Sequence, residues 1–457
     1  MRYGQHYGTL VTPQSEPIPG TSQVANSAGG FAWAVDDWTR LDRFLVLGSE
    51  GGSYYASERK LTAENAESVR RCLAADGTRT VARIVEISEG GRAPKNDPAI
   101  FALAMAASLG DAPTKAAALA ALPRVCRIGT HLFHFAEAVQ GFRGWGRGLR
   151  RAVGRWYTER TPDAAAYQAV KYQQRDGWTH RDLLRLGHPK PPTPEHDALF
   201  RWITKDEAGE HVPALVSALG KLRAAASAKD VARLVRDHDL PREAVEAADT
   251  KWLAEIPVWE ALLERMPLTA MVRSLARMTA IGLLKPLSNA VAHVVKEIGD
   301  AEKIRRARVH PIALLSAHRV YAQGKGERGK LTWSPVSQVI DALDAAFYSA
   351  FENVPSTGKR MVLALDVSGS MGAGAIAGIP GLAPRDVSAA LALVTATREP
   401  NHAIMGFGTS FMPLPISPKQ RLADAVRAVS SLPFGGTDCS LPMRWALEKR
   451  IAVDGFV

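Results

Sequence analysis

Between about residues 62 and 350 the sequence is a succession of short, Ala- and Leu-rich stretches with apolar residues at helical spacing, which limits this region to helices packed on helices. Examples are LTAENAESVRRCLAA (61–75), DPAIFALAMAASL (97–109), TKAAALAALPRV (114–125), HLFHFAEAVQGF (131–142), AKDVARLVRDH (228–238), VWEALLERM (258–266) and DALDAAFYSAF (341–351). Thr62 can cap the first of these, with Glu64 in the first turn where a carboxylate suits the helix dipole. Asn65 stands where a full capping box would need Glu or Gln. Asp97-Pro98 and Thr161-Pro162 place a proline just after a capping residue and mark further helix starts. Helices of about twelve residues joined by short connections suggest an α-solenoid of helix pairs, with an ordinary large helical domain as the alternative.

At Lys359 the texture changes. KRMVLALDV is a continuous apolar run ending in a carboxylate, as expected for a buried parallel strand whose C-terminal end opens into a site. DVSAALALVTATR reads as a helix, HAIMGFG as a second strand and FMPLPIS as a third. KQRLADAVRAVSSL and LPMRWALEKR read as helices, and IAVDGFV as a fourth strand. This alternation predicts a doubly wound α/β unit over 361–457. The first 28 residues are polar and read as an arm, with 1–19 assigned as its flexible part.

The net charge is +11, and its distribution matters more than its size. Residues 141–190 hold eleven basic side chains against four acidic, a net of +7, and residues 301–330 hold eight against two, a net of +6. The rest of the chain is slightly acidic. Patches of this kind are the footprint of a polyanion binder, most often nucleic acid. No stretch of about 18 apolar residues exists to span a membrane, and the start lacks a signal peptide's apolar run, so a cytosolic location is expected. The three cysteines, Cys72, Cys126 and Cys439, are widely spaced and read as reduced thiols.

Arg143, Arg147, Arg150, Arg151 and Arg155 recur mostly at intervals of three or four, so a single helix would carry them as one stripe. Arginine forks suit phosphate oxygens, and Trp145, Trp156 and Tyr157 could either stack on unpaired bases or belong to the core. Lys171 and Arg175, and likewise Arg181 and Arg185, are four apart and can share faces; His180 and His188 accompany them. Gly324 to Lys330 (GKGERGK) fails the P-loop pattern and reads as a flexible phosphate-contacting loop carrying Lys325, Arg328 and Lys330. Gly48 to Gly52 reads as a turn. No Ser/His/Asp, Cys/His or paired-carboxylate set is placed by spacing.

Asp366-Val-Ser368-Gly-Ser370 closes the first α/β strand, and Gly435-Gly436-Thr437-Asp438 follows some 70 residues later. One carboxylate and hydroxyls from two loops at the carboxyl edge of a parallel sheet meet the needs of a hard divalent ion such as Mg²⁺. The pattern resembles the metal-ion-dependent adhesion site of von Willebrand factor A domains. That resemblance implies that Asp366, Ser368, Ser370 and Thr437 are metal-site residues, with the serines and threonine on the metal and the aspartate acting largely through water. The family's remaining metal-site aspartate follows the fourth strand, beyond a motif like Thr-Asp-x-Glu, and IAVDGFV ends first. A C-terminally truncated chain with an incomplete site is therefore expected; Asp438 and Asp454 are tempting substitutes outside the family's position.

Upstream, GFAWAVDDWTRLDRFLVLGSEGGSYY (30–55), RVCRIGTHLFHF (124–135), GWGRGLRRAVGRWY (144–157), VKYQQRDGWTHRDLLRLGHPKP (170–191), ARVHPIALLSAHRVYAQGKGERGKLTW (307–333) and ALDAAFYSAF (342–351) resemble the TROVE module of the Ro autoantigen family, bacterial orthologues included. The similarity covers about residues 20–360, and a von Willebrand A domain follows the module in that family too. The resemblance implies a closed HEAT-like ring around a basic hole. Single-stranded 3′ ends of misfolded RNA enter the hole, and small Y-like non-coding RNA binds the outer surface. The segment with Lys171, Arg175, His180, Arg181, Arg185 and His188 matches the family's RNA-contacting stretch. The expected function is a non-catalytic RNA-binding scaffold for RNA quality control, with polynucleotide phosphorylase as the partner the resemblance admits; neither DNA nor membrane is expected. Rival readings are a metal-dependent protein-interaction module and, more weakly, an RNA-processing enzyme, since two-metal nucleases need several clustered carboxylates.

Overall fold

The computed structural model describes residues 16–17, 20–25, 30–48, 66–326, 329–372, 376, 382–430, 432 and 436–457. Most of the 1–19 arm, the Thr62 cap and Arg328 lie outside these residues. Within the polar N-terminal stretch, β1 (Gln23–Ala25) pairs antiparallel with β2 (Phe31–Trp33), so part of the expected arm is a short ribbon. Helices then follow one another with short connections, as the periodicity predicts.

The described chain forms two compact units, one reaching to Trp252 and the other running from Leu253 to Val457. In the first, helices Glu67–Gly90, Asp97–Leu109, Ala112–Val125, Gly129–Phe142, Arg147–Thr158 and Pro162–Lys171 enclose a core containing Phe44, Phe133, Phe135, Trp156 and Tyr157. Glu67–Gly90 breaks at Asp76, whose φ of −157° and ψ of 92° are not helical. Side-chain caps start several helices. Thr161 accepts from the Ala164 N–H as expected, and Asp111, Thr193 and Ser227 do the same for their helices, each worth about 1 kcal/mol. Asp97 does not cap: Asn96 holds that position, and its amide is spent on Ser88 and the Val125 carbonyl.

The second unit begins with helices, among them Leu268–Ala280, Asn289–Ile298, Pro311–Ala322 and Ser337–Ser349, and continues into the sheet. Two strands precede the sheet in chain order, β3 (Gln174–Arg175) and β4 (Trp178–Thr179), an antiparallel hairpin in the first unit. The sheet comprises β5 (Met361–Asp366), β6 (His402–Phe407), β7 (Phe411–Pro413) and β8 (Gly455–Phe456) in the order β7-β6-β5-β8. β5 pairs parallel with β6 and β8, and the Pro384–Arg398 helix crosses between β5 and β6 and packs on both. β7 runs antiparallel to β6, an edge strand of the kind that doubly wound sheets carry. Only residues 408–410 separate the two strands, too few for the crossover a parallel pair needs.

The last helix of the helical region is fastened to the α/β part. Leu422 N donates to Tyr348 Oη at 2.9 Å, and Arg421 pairs with Asp344 while lying over the Tyr348 ring. Between them runs the segment 356–358, whose Thr357 and Gly358 N–H groups and Ser356 hydroxyl all donate to the buried Glu399 carboxylate. Those bonds, the Thr357 N–H first, hold its pKa below the ordinary carboxylate value.

Candidate functional site

The Arg147–Thr158 helix buries Leu149, Ala152, Val153, Gly154, Trp156 and Tyr157 and leaves Arg147, Arg150, Arg151 and Arg155 exposed on the other face. Arg143 is not part of this stripe. It ends the preceding helix, and Gly144, with φ of +82°, turns the chain before the next begins at Arg147. The neighbouring His180–Gly187 helix starts with a Thr179/Asp182 capping box and ends at His188, which takes left-handed φ 42° and ψ 49°.

These two helices touch at glycines. A Cβ on Gly154 would lie 3.2 Å from the Pro189 Cβ, and one on Gly187 would lie 3.3 Å from the Arg150 carbonyl. This close approach joins the stripe to the segment after the second helix. The result is a cleft of about 450 Å³ lined by Arg147, Arg150, Arg151 and Arg155 from one side and His188 and Lys190 from the other. None of these side chains forms an ion pair with a described residue. Several basic residues elsewhere are neutralised: Arg83 by Asp42, Arg124 by Glu89, and Arg305 and Arg306 by Glu302. The second basic window is therefore weaker than its count suggests. Lys325 and Lys330 are exposed, and the base of their loop is tied by the Gly326 N–H to the Leu331 carbonyl and the Trp333 N–H to the Gly324 carbonyl.

The other expected contact residues are dispersed. Arg175 is exposed on the β3–β4 hairpin. Lys171 is half-buried and donates to Tyr167 Oη at 3.1 Å. Arg181 and Arg185 donate to the Ile203 and Thr204 carbonyls at the end of the Pro194–Lys205 helix, leaving their other N–H groups available. His180 is not a surface contact at all: it is 3% exposed, its Nδ1 meets Tyr157 Oη at 2.8 Å, and the Phe133 ring packs against its edge. Burial pushes its pKa down to about 4. Trp156 and Tyr157 are likewise core residues, Trp156 donating to the Cys126 carbonyl. Arg155 and Lys190 complete the cleft. Both were visible as basic residues, but only the glycine contact between the helices shows that Lys190 faces the stripe.

At the α/β edge, Asp366 ends β5 and accepts from the Ser368 N–H at 2.7 Å through Oδ1, leaving its second oxygen open among the described residues. The Ser368 and Ser370 hydroxyls are 3.1 Å apart. That spacing is a hydrogen bond between the two hydroxyls, and it also matches the ~3.0 Å between adjacent ligands of an octahedral ion about 2.1 Å away. The Asp438 N–H bonds to the Gly408 carbonyl beyond β6, placing exposed Thr437 at the same sheet edge. Burial, then the charges of Asp366 and Asp438, raise the pKa of the intervening thiol, Cys439. Of the substitute carboxylates, Asp438 is engaged through Oδ1 alone among the described residues and Asp454 through both oxygens. Asp438 accepts from the Ser440 N–H and hydroxyl, and Asp454 grips Arg360. Among the described residues no group of three or more His, Cys, Asp or Glu side chains could hold a metal, so an ion here would rest on hydroxyls and one carboxylate.

Sequence matches agree with this architecture: a TROVE domain over residues 24–211 and 239–320, and a Ro60 vWA domain over 360–457. The chain belongs to the Ro60 family. It is 40% identical to the RNA-binding protein RO60 of Deinococcus radiodurans over 453 residues, 98% of this chain and 84% of that protein. Its identity to the RNA-binding protein RO60 of Caenorhabditis elegans is 35%, covering 95% of this chain and 79% of that protein. The crystal structure of the Deinococcus radiodurans RO (RSR) protein superposes with a TM-score of 0.81 at 39% identity, covering 92% of this chain and 85% of the other. As in this family, a helical TROVE region precedes a vWA domain. Among the described residues no helix is long and apolar enough to cross a membrane.

Proposed function

We propose that the chain is a Ro-type RNA-binding scaffold. The observation that carries this reading is the cleft lined by the cations Arg147, Arg150, Arg151, Arg155 and Lys190 together with His188, none with a carboxylate partner among the described residues and all accessible to phosphates. The name of the two relatives, RNA-binding protein, supports it. In this reading a small structured Y-like RNA binds the outer surface through Lys171, Arg175 and His188. Single-stranded 3′ ends of misfolded RNA enter a basic hole; Arg147 and Arg150, which line one cleft with His188, belong to the Y-like RNA's surface in this reading, and Arg143 stands apart from them. The role is quality control in the cytosol without chemistry of its own, and handover to polynucleotide phosphorylase is proposed on family membership alone.

Replacing Lys171, Arg175 and His188 together is expected to weaken binding of a small structured RNA by on the order of 3 kcal/mol, allowing ~1 kcal/mol per contact. Filter binding at fixed salt measures it. Unchanged affinity in a variant that retains wild-type circular dichroism would sink the assignment.

At the α/β edge, Asp366, Ser368, Ser370 and Thr437 would hold Mg²⁺, which would supply a positive site for an acidic group of a partner. This second reading, a metal-dependent protein contact, is supported by the gathering of the two hydroxyls, the open Asp366 oxygen and Thr437 at one sheet edge. Millimolar Mg²⁺ is expected to raise the melting temperature of the wild-type chain and to leave Asp366→Ala unchanged. Equal shifts in both proteins would remove the site.

A further inference from the structure

The β3–β4 hairpin that carries Arg175 contains only two residue pairs, Gln174↔Thr179 and Arg175↔Trp178. Its turn places Asp176 at φ 52° and Gly177 at φ 80°, the left-handed pair that a two-residue connection demands. An isolated hairpin this short has no stability of its own in water. Its position must come from what holds it.

Helix Gly129–Phe142 does this with two side chains one turn apart, and so on one face. Glu137 accepts the Trp178 indole N–H at 2.9 Å, while the Trp178 ring packs on Trp145 with centroids 5.4 Å apart. His134 bonds through Nδ1 to the Asp176 carboxylate at the hairpin tip. Its other nitrogen, Nε2, lies 3.5 Å from Asp97 Oδ1 at the start of the Asp97–Leu109 helix. The imidazole therefore ties the tip to its own helix and lies beside the start of a second. The contact has an electrostatic side as well: Asp176 adjoins Arg175, and a free carboxylate there would repel the phosphate that the arginine is to meet.

We infer that His134 is a positioning residue for RNA binding: by bonding Asp176 from the Gly129–Phe142 helix it fixes the hairpin and occupies the Asp176 carboxylate, so that Arg175 is presented to a phosphate. The inference rests on the reading of Arg175 as an RNA contact.

The test is a double-mutant cycle on the full chain with a fluorescently labelled stem–loop RNA, read by anisotropy over a range of KCl concentrations. Arg175→Ala is expected to weaken binding about fivefold, the equivalent of about 1 kcal/mol. His134→Ala is expected to weaken it about three- to fivefold. His134→Asn, whose amide can replace Nδ1 as donor, is expected to recover most of the loss. Combining His134→Ala with Arg175→Ala is expected to cost no more than Arg175→Ala alone, with the same reduced salt slope, because the histidine acts through the arginine. If His134→Ala fails to fold, His134→Leu keeps the bulk without the donor and replaces it in the cycle. Wild-type affinity for the His134 variants, or losses that add to those of Arg175→Ala, would overturn the inference while leaving the RNA contact standing. A silent Arg175→Ala would instead overturn the reading of Arg175, and the inference with it.

Discussion

Alanine at Arg147, Arg150, Arg151 and Arg155 together lowers RNA affinity by about 4 kcal/mol, on the order of a thousandfold, at ~1 kcal/mol per charge-assisted contact. All four side chains are exposed, free of ion pairs with described residues, and gathered along one wall of the cleft. Alanine is the best helix former and the buried face of the helix is untouched, so the fold is retained. Each lost phosphate contact also removes released counterion, flattening the log–log salt dependence by roughly 0.7 per contact on single-stranded RNA. Binding titrations from low to physiological salt measure both quantities. Arg305 and Arg306, each paired with Glu302, supply the comparison: their replacement changes affinity far less. Similar losses from the two sets would mean that net charge, and not the cleft, binds the RNA.

Acidification from pH 7 to pH 4 costs the unit ending at Trp252 about 6 kcal/mol of stability. Burial pushes the pKa of His180 from 6.5 to about 4, and burial followed by the neighbouring Arg127 does the same to His131. A native pKa below that of the unfolded chain means that the folded state holds the ring neutral while the unfolded state takes up a proton below about 6.5. Stability is therefore complete above about pH 6.5 and falls as the pH drops toward 4. Each ring contributes about 3 kcal/mol, from some 2.5 pH units at 1.36 kcal/mol per unit. Asp111, Glu89 and Glu67 are held below the ordinary carboxylate values by their hydrogen-bond partners, so they add little in this window. Urea titrations followed by tryptophan fluorescence at several pH values test this. A flat profile between pH 6.5 and 4 would show that the two rings are not held neutral, and His131→Asn should remove about half of the slope.

The helices were legible because their apolar spacing is local, and the β-strand at Met361–Asp366 because a buried strand is apolar throughout. The stripe on Arg147–Thr158 was legible for the same reason, since three- and four-residue spacing is a property of one helix. What escaped depended on distant parts of the chain. Arg143 fits the spacing, but Gly144 breaks the helix after it. His180 has the same local setting as Arg181, and only the packing of Tyr157 and Phe133 around it makes it a core residue. Lys190 joins the cleft through a contact between Gly154 and Gly187, residues 33 apart in sequence. His134 and Glu137 carry no charge pattern of note; their role emerges only when the hairpin is laid against them. At the α/β edge, the spacing pointed to Asp366, Ser368 and Ser370, whereas the antiparallel β7 depended on a three-residue connection inside an apolar run.

The bonds from Ser356, Thr357 and Gly358 to Glu399 bear on how such proteins can be recombined. A segment joining two domains usually tolerates extra residues at small entropic cost. Here three donors in consecutive residues converge on one carboxylate just before β5, and Asp366 lies at the far end of that strand. One added residue between Gly358 and Met361 would shift the strand by one position, exchanging the faces on which its side chains pack and displacing Asp366, or else break the carboxylate's bonds. A chimera that exchanges the α/β part between relatives should therefore be cut upstream of Ser356, so that this segment travels with Glu399.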